Sequence, residues 1–133
     1  MQVLRNSIML LATLLLIACS ASNTPEKVAE KYINAVLAND IDGVMATLYI
    51  PADAVEGQES LMRGKLTILL TETSTRAISF GGVKDVSYSS AQYNTDKTRA
   101  TVVATIRYKK DSSADKNEKI KLIKTDDGWK ISL

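Results

Sequence analysis

The chain has 133 residues, 45% of them hydrophobic and 24% charged, with seventeen Lys plus Arg against fifteen Asp plus Glu. That near-balance gives no global reason to seek nucleic acid or a strongly acidic partner. Histidine is absent and Cys19 is the single cysteine. The usual neutral-pH base, the commonest metal ligand and any internal disulfide are thereby removed, so zinc and triad chemistry fit poorly, and neither a metal site nor a cofactor is expected.

The N-terminus divides into three parts: Arg5 in a short positive region, an apolar run from Ile8 to Ile17, and small Ala18 directly before Cys19. The run is too short for a comfortable permanent span, and residues 1–18 are expected to be a removable export signal. Leu16-Ile17-Ala18-Cys19 resembles the bacterial lipobox. The resemblance implies that the Cys19 thiol carries a diacylglycerol and becomes the mature N-terminus. Two acyl chains satisfy the requirement for stable anchoring. Ser20 after the cysteine, by the same resemblance, favours the outer membrane. Residues 19–24 then form the lipidated cysteine and a tether, which holds the domain within roughly 15–20 Å of the bilayer.

From Thr24 the pattern turns helical. Thr24 is the expected N-cap, Pro25 the first helical residue and Glu26 a first-turn acid suited to the dipole. Val28, Ala29, Tyr32, Ile33, Val36 and Leu37 recur on one face, with Glu26, Lys27, Glu30 and Lys31 on a wet one. Asn39-Asp40 breaks this helix, and Asp40 is placed to cap a second, lined by Ile41, Val44, Met45 and Leu48 and ended at Tyr49-Ile50-Pro51. A third begins near Gln58, with Leu61, Met62, Leu66, Leu69 and Leu70 as its expected apolar face. Gly64 and the Thr71–Thr75 run weaken it, and Gly81-Gly82 must stop it.

The remainder reads as β. Val86 and Tyr88 alternate with polar neighbours, and Tyr93 extends the strand past an irregularity. Thr98 to Tyr108 alternates throughout, with Val102, Ala104, Ile106 and Tyr108 on one side. A polar loop over residues 111–117 leads to a return strand, Lys119 to Lys124, with Ile120 and Leu122 inward. Asp127-Gly128 is a two-residue hairpin signal, and Trp129, Ile131 and Leu133 follow in phase. Helices first and an antiparallel meander second predict an α+β domain over residues 25–133, its helices packed on one side of a curved sheet.

Thr24-Pro25-Glu26, the short helix after Asn39-Asp40, the glycine pair and the closing Asp127-Gly128-Trp129-Lys130-Ile131 resemble the cystatin-like cone of nuclear transport factor 2 and its relatives. Gly81-Gly82-Val83-Lys84 resembles, more narrowly, small bacterial lipoproteins with lumazine-binding-like domains of unknown function. The resemblance implies a pocket at the open end of the cone and pairing of two copies through their sheets. Catalytic relatives use an Asp or His base in that pocket. Here a carboxylate would be needed, yet Asp40, Asp42 and Asp127 have capping or turn explanations, Glu26, Glu30 and Glu72 fall on wet faces, and Asp53 stands in a loop.

Tyr32, Tyr49, Tyr88 and Tyr108 are the candidate pocket lining, offering hydroxyls and stacking surfaces to a ring-shaped ligand; the plainer alternative is that they fill the core. Trp129 is expected to pack the sheet against the first helix. Lys109, Lys110, Lys116, Lys119, Lys121, Lys124 and Lys130 make the last hairpins basic, diluted by Asp111, Asp115, Glu118 and Asp126. No phosphate loop, CxxC pair or nucleophile elbow is present. The expected function is a lipid-anchored, non-catalytic envelope protein that binds a small ligand or another envelope protein. The alternatives are a pocket enzyme of isomerase or dehydratase type and a structural subunit of an envelope assembly.

Overall fold

The computed structural model describes residues 23–133, so the expected export signal, Cys19 and most of the expected tether lie outside the described residues. Helix α1 spans Pro25–Leu37, and the Thr24 hydroxyl accepts from the Lys27 amide at 3.2 Å. It stops where Asn39 takes φ 55°, with Asn39 N–H donating to the Val36 carbonyl and Asp40 N–H to that of Ala35. This paired closure satisfies carbonyls that the helix end would otherwise leave bare. Asp40 then caps α2 (Ile41–Thr47), its carboxylate accepting from the Gly43 amide at 3.0 Å.

Helix α3 runs Gln58–Ser79, straight through the threonine-rich stretch. The Thr67 and Thr71 hydroxyls donate to the carbonyls of Arg63 and Thr67, each at 2.8 Å, so they bond within the helix rather than compete with it. Of its expected apolar face only Leu66 and Leu70 are buried, whereas Leu61 is 61% and Leu69 43% exposed. The helix lies on the outside of the domain and touches it along a narrow stripe. At its end Gly81 N–H donates to the Ile78 carbonyl and Gly82 N–H to that of Ala77, which requires the positive φ of both glycines.

Five antiparallel strands follow: β1 (Val83–Tyr88), β2 (Gln92–Tyr93), β3 (Arg99–Tyr108), β4 (Lys116–Thr125) and β5 (Gly128–Ile131), in the order β1-β3-β4-β5 with β2 also on β3. The last turn sits one residue earlier than expected. Thr125 pairs with Gly128, so Asp126-Asp127 is the loop and Gly128, at φ 101°, opens β5. Two aspartates with negative φ followed by one positive-φ glycine suit a turn with a glycine bulge rather than a mirror-image turn. The strand ends at Ile131, leaving Leu133 71% exposed instead of inward.

The core lies between the inner sheet face and the helices. Val102, Ala104, Ile120, Leu122 and Ile131 meet Val28, Ala29, Ile33 and Val36 of α1 and Val44 of α2, with Trp129 in the same cluster. Three helices on a curved antiparallel half-barrel form an α+β cone. Among the described residues no helix is long and apolar enough to cross a membrane.

Candidate functional site

Between α1, α3 and the β3–β4 sheet lies a cavity of about 360 Å³. Ile33 and Val36 of α1, Leu69 and Thr73 of α3, and Ile106 and Ile120 of the sheet contribute to its walls. Its polar part includes Tyr32, Arg76, Lys116 and Glu118, and Lys119, Lys121 and Ser132 also border it. Strand register puts Lys116 and Glu118 there. They pair with Ile106 and Ala104, whose side chains are buried on the inner face, and alternate in phase with Ile120 and Leu122. Lys116 Nζ and Glu118 Oε1 form an ion pair, both side chains being roughly half-exposed.

Arg76 is fixed from the other side. Its guanidinium lies over the Phe80 ring, 5.3 Å from the centroid, and Phe80 is tilted against Tyr108 with centroids 5.4 Å apart. Aromatic stacking of this kind orients a cation while leaving its N–H groups free to donate. Arg76 therefore stands at the cavity as a positive charge without a carboxylate partner among the described residues.

The four candidate tyrosines do not form one set. Tyr32 and Tyr108 line the cavity. Tyr49 lies outside it, 37% exposed just beyond α2, where its backbone N–H donates to the Ile131 carbonyl at 2.8 Å. Tyr88 projects from β1 beside Ala104 and packs against the main core, and its hydroxyl is buried without a hydrogen-bond partner among the described residues. Burial, and then the Glu118 charge, raise the Tyr32 phenol above its ordinary value of 10.0; burial, and then Glu30, do the same for Tyr88. The fold favours the neutral phenols, so their contribution to stability is complete below pH 10 and is lost as pH rises through the folded-state values. Tyr32→Phe is expected to remove a component of phenolate absorbance that develops only above pH 10, and to flatten the alkaline fall in stability. A component lost below pH 10 would show that Tyr32 is not shielded.

Glu26 corrects the expected wet face of α1, since Glu26 Oε1 accepts from the Ala91 amide at 2.9 Å and fastens the β1–β2 connection to the helix. Asp53 is an exposed loop residue away from the cavity. Trp129 is buried in the core cluster and tilts against Tyr93, with centroids 5.9 Å apart. Lys119 and Lys121 are exposed, on the sheet face opposite to Ile120. Sequence reasoning counted Glu118 and Lys116 among the basic hairpin and its diluting acids. The period-two alternation of Ile120 and Leu122, run back four residues, is the signal that finds them.

No family model matches the chain, and no curated protein matches it. Among solved structures it resembles a Campylobacter jejuni protein provisionally named an NTF2-like transpeptidase. The match has a TM-score of 0.73 at 22% identity and covers 83% of this chain and 98% of that one. At that identity the likeness is one of architecture, and the chain has the NTF2-like α+β cone fold.

Proposed function

We propose that this chain is a bacterial envelope lipoprotein, held by acylated Cys19 at the outer membrane, whose cone binds a small amphipathic anion without transforming it. The cavity carries this reading: about 360 Å³ with aliphatic walls and the guanidinium of Arg76 at its polar side. A pocket of that size suits a small ring or short chain, and a few charged groups set its orientation. Arg76, Lys116, Lys119 and Lys121 outnumber Glu118 at the cavity, so the preferred head group is negative.

Glu118 is the observation that favours the enzyme alternative, being a carboxylate at the cavity. Its pairing with Lys116 engages it as an acceptor, and no histidine is available to share proton transfer. The transpeptidase named among solved structures would need an activated nucleophile. Thr73 and Ser132 are the aliphatic hydroxyls here, and neither is hydrogen-bonded to a base among the described residues.

The test is binding of 1-anilinonaphthalene-8-sulfonate, an aromatic sulfonate, to the full chain. One saturable site is expected. Thr73→Trp should abolish it by filling the cavity, and Arg76→Glu should weaken it about tenfold or more, in line with the loss of a charged hydrogen bond. Unchanged binding in both variants would remove the cavity as the site.

A further inference from the structure

The outward face of α3 has a pattern that nothing among the described residues explains. Leu61, Gly64, Ile68, Thr71, Thr75 and Ile78 follow one another at spacings of three, four, three, four and three residues. All six are exposed, Leu61 by 61%, Ile68 by 62% and Ile78 by 74%, and none is charged. Alternating three- and four-residue steps define the seam of a helix that pairs with another helix. Thr71 turns its hydroxyl inward to the Thr67 carbonyl at 2.8 Å, so bonding within the helix reduces its polarity on the seam.

Gly64 strengthens the argument. A Cβ there would meet nothing within 4 Å beyond the adjacent backbone of its own helix, so no close approach among the described residues calls for glycine. Glycine in an exposed helix interior is a poor helix former, and a recurring reason to keep one is the close approach of another backbone.

The seam is also complementary to itself. Laid antiparallel on a second α3 about a two-fold axis between Leu69 and Leu70, Leu61 comes opposite Ile78, Gly64 opposite Thr75, and Ile68 opposite Thr71. The flank beside the seam carries Lys65 and Glu72, both exposed and both without an intrachain ion pair among the described residues. In the antiparallel arrangement Lys65 of one copy faces Glu72 of the other, twice over by symmetry. The other flank, Ser60, Thr67 and Ser74, is uncharged. We infer that two copies of this chain associate through antiparallel pairing of their α3 helices, with Lys65 and Glu72 setting the direction and register.

Such an isologous contact needs only one surface per copy. It also avoids the outer sheet face, where Lys119 and Lys121 would meet their own like charges in a face-to-face dimer. One helix pair with a seam roughly 25 Å long makes a small interface, below about 1,200 Å², so the association is weak and depends on concentration.

Sedimentation of the full chain in a mild non-ionic detergent, over a concentration series, tests this. Wild type should pass from monomer to dimer. Ile68→Glu should raise the dimer dissociation constant at least tenfold while leaving the circular dichroism and melting of the monomer unchanged, since Ile68 touches solvent. Lys65→Glu and Glu72→Lys should each weaken the dimer several-fold. The double exchange, Lys65→Glu with Glu72→Lys, should restore it, as only a partner carrying the same two positions allows. A second measurement is independent of affinity. Ile68→Cys with Thr71→Cys should give an oxidation-dependent covalent dimer, and Lys31→Cys on α1 should not. A wild type that stays monomeric without cross-linking overturns the pairing and leaves the seam to a different occupant. A dimer indifferent to Ile68→Glu overturns it in favour of another face, such as the sheet.

Discussion

Leu70→Ala is expected to lower the folding stability by about 3–4 kcal/mol, the cost of removing buried methyl groups together with the void they leave. The position earns so large an effect from the way α3 is attached. The helix has 22 residues, yet only Leu66 and Leu70 are buried, and Leu70 is fully so. Few neighbours on the helix can move in to close the gap, because Ile68 and Leu69 point toward solvent or the cavity edge. Urea unfolding followed by the fluorescence of Trp129, the single tryptophan, would measure the change. Ile68→Ala, two residues away but 62% exposed, is the control and should stay within about 0.5 kcal/mol of wild type. Equal losses at both positions would mean that α3 packs through a different face.

Gly128→Ala is expected to cost about 2–3 kcal/mol, through two separable causes. A φ of 101° is rarely adopted by a residue with a side chain, and an added Cβ would lie 2.5 Å from the Asn23 side-chain oxygen. That oxygen accepts from the Trp129 amide at 2.7 Å, so relief of the clash breaks the bond. Asn23→Ala alone removes only the hydrogen bond and should cost about 1 kcal/mol. In the Gly128→Ala background the same change should cost clearly less, because the bond is already lost, and a double-mutant cycle by urea unfolding measures the difference. Strict additivity would mean that strain in the backbone, not the clash, carries the whole effect.

What could be read from the sequence follows the strength of the local signals. Thr24-Pro25 marks one backbone position chemically, and α1 begins there. The alternation from Thr98 to Tyr108 spans ten residues and leaves one pairing register that buries Val102 and Ala104. The glycine pair ends α3 because few other residues tolerate two successive positive φ angles. Signals of the wrong range misled. Leu61 and Leu69 are leucines at helical spacing, but periodicity does not say whether a helix faces one neighbour or two, and Leu61 belongs to the outward seam. The last turn shifted by one residue because a glycine after two aspartates serves a bulge as well as a mirror-image turn. Glu118 escaped notice because a charged residue at an inner strand position reads as the strand's end. In the structure β4 begins at Lys116, and its first inward positions reach the rim of the cavity, where charge is tolerated. Tyr32 and Tyr88 both lie near the interior, yet only a three-dimensional path separates the one at the cavity from the one sealed against the core.

The bond from Trp129 to Asn23 joins residues 106 apart in the chain, and α1 finds its core partners Ile131 and Trp129 on the same late hairpin. The first described helix therefore depends for its packing on the hairpin farthest from it in the chain. Until that hairpin docks, Val28, Ile33 and Val36 have no sheet to cover them, and the long loop between the two ends must be closed before either side is rewarded. Loss of the β4–β5 hairpin would strip α1 of its sheet partners and of the bond at Asn23 together, so the two ends of the domain hold or fail as one cooperative unit.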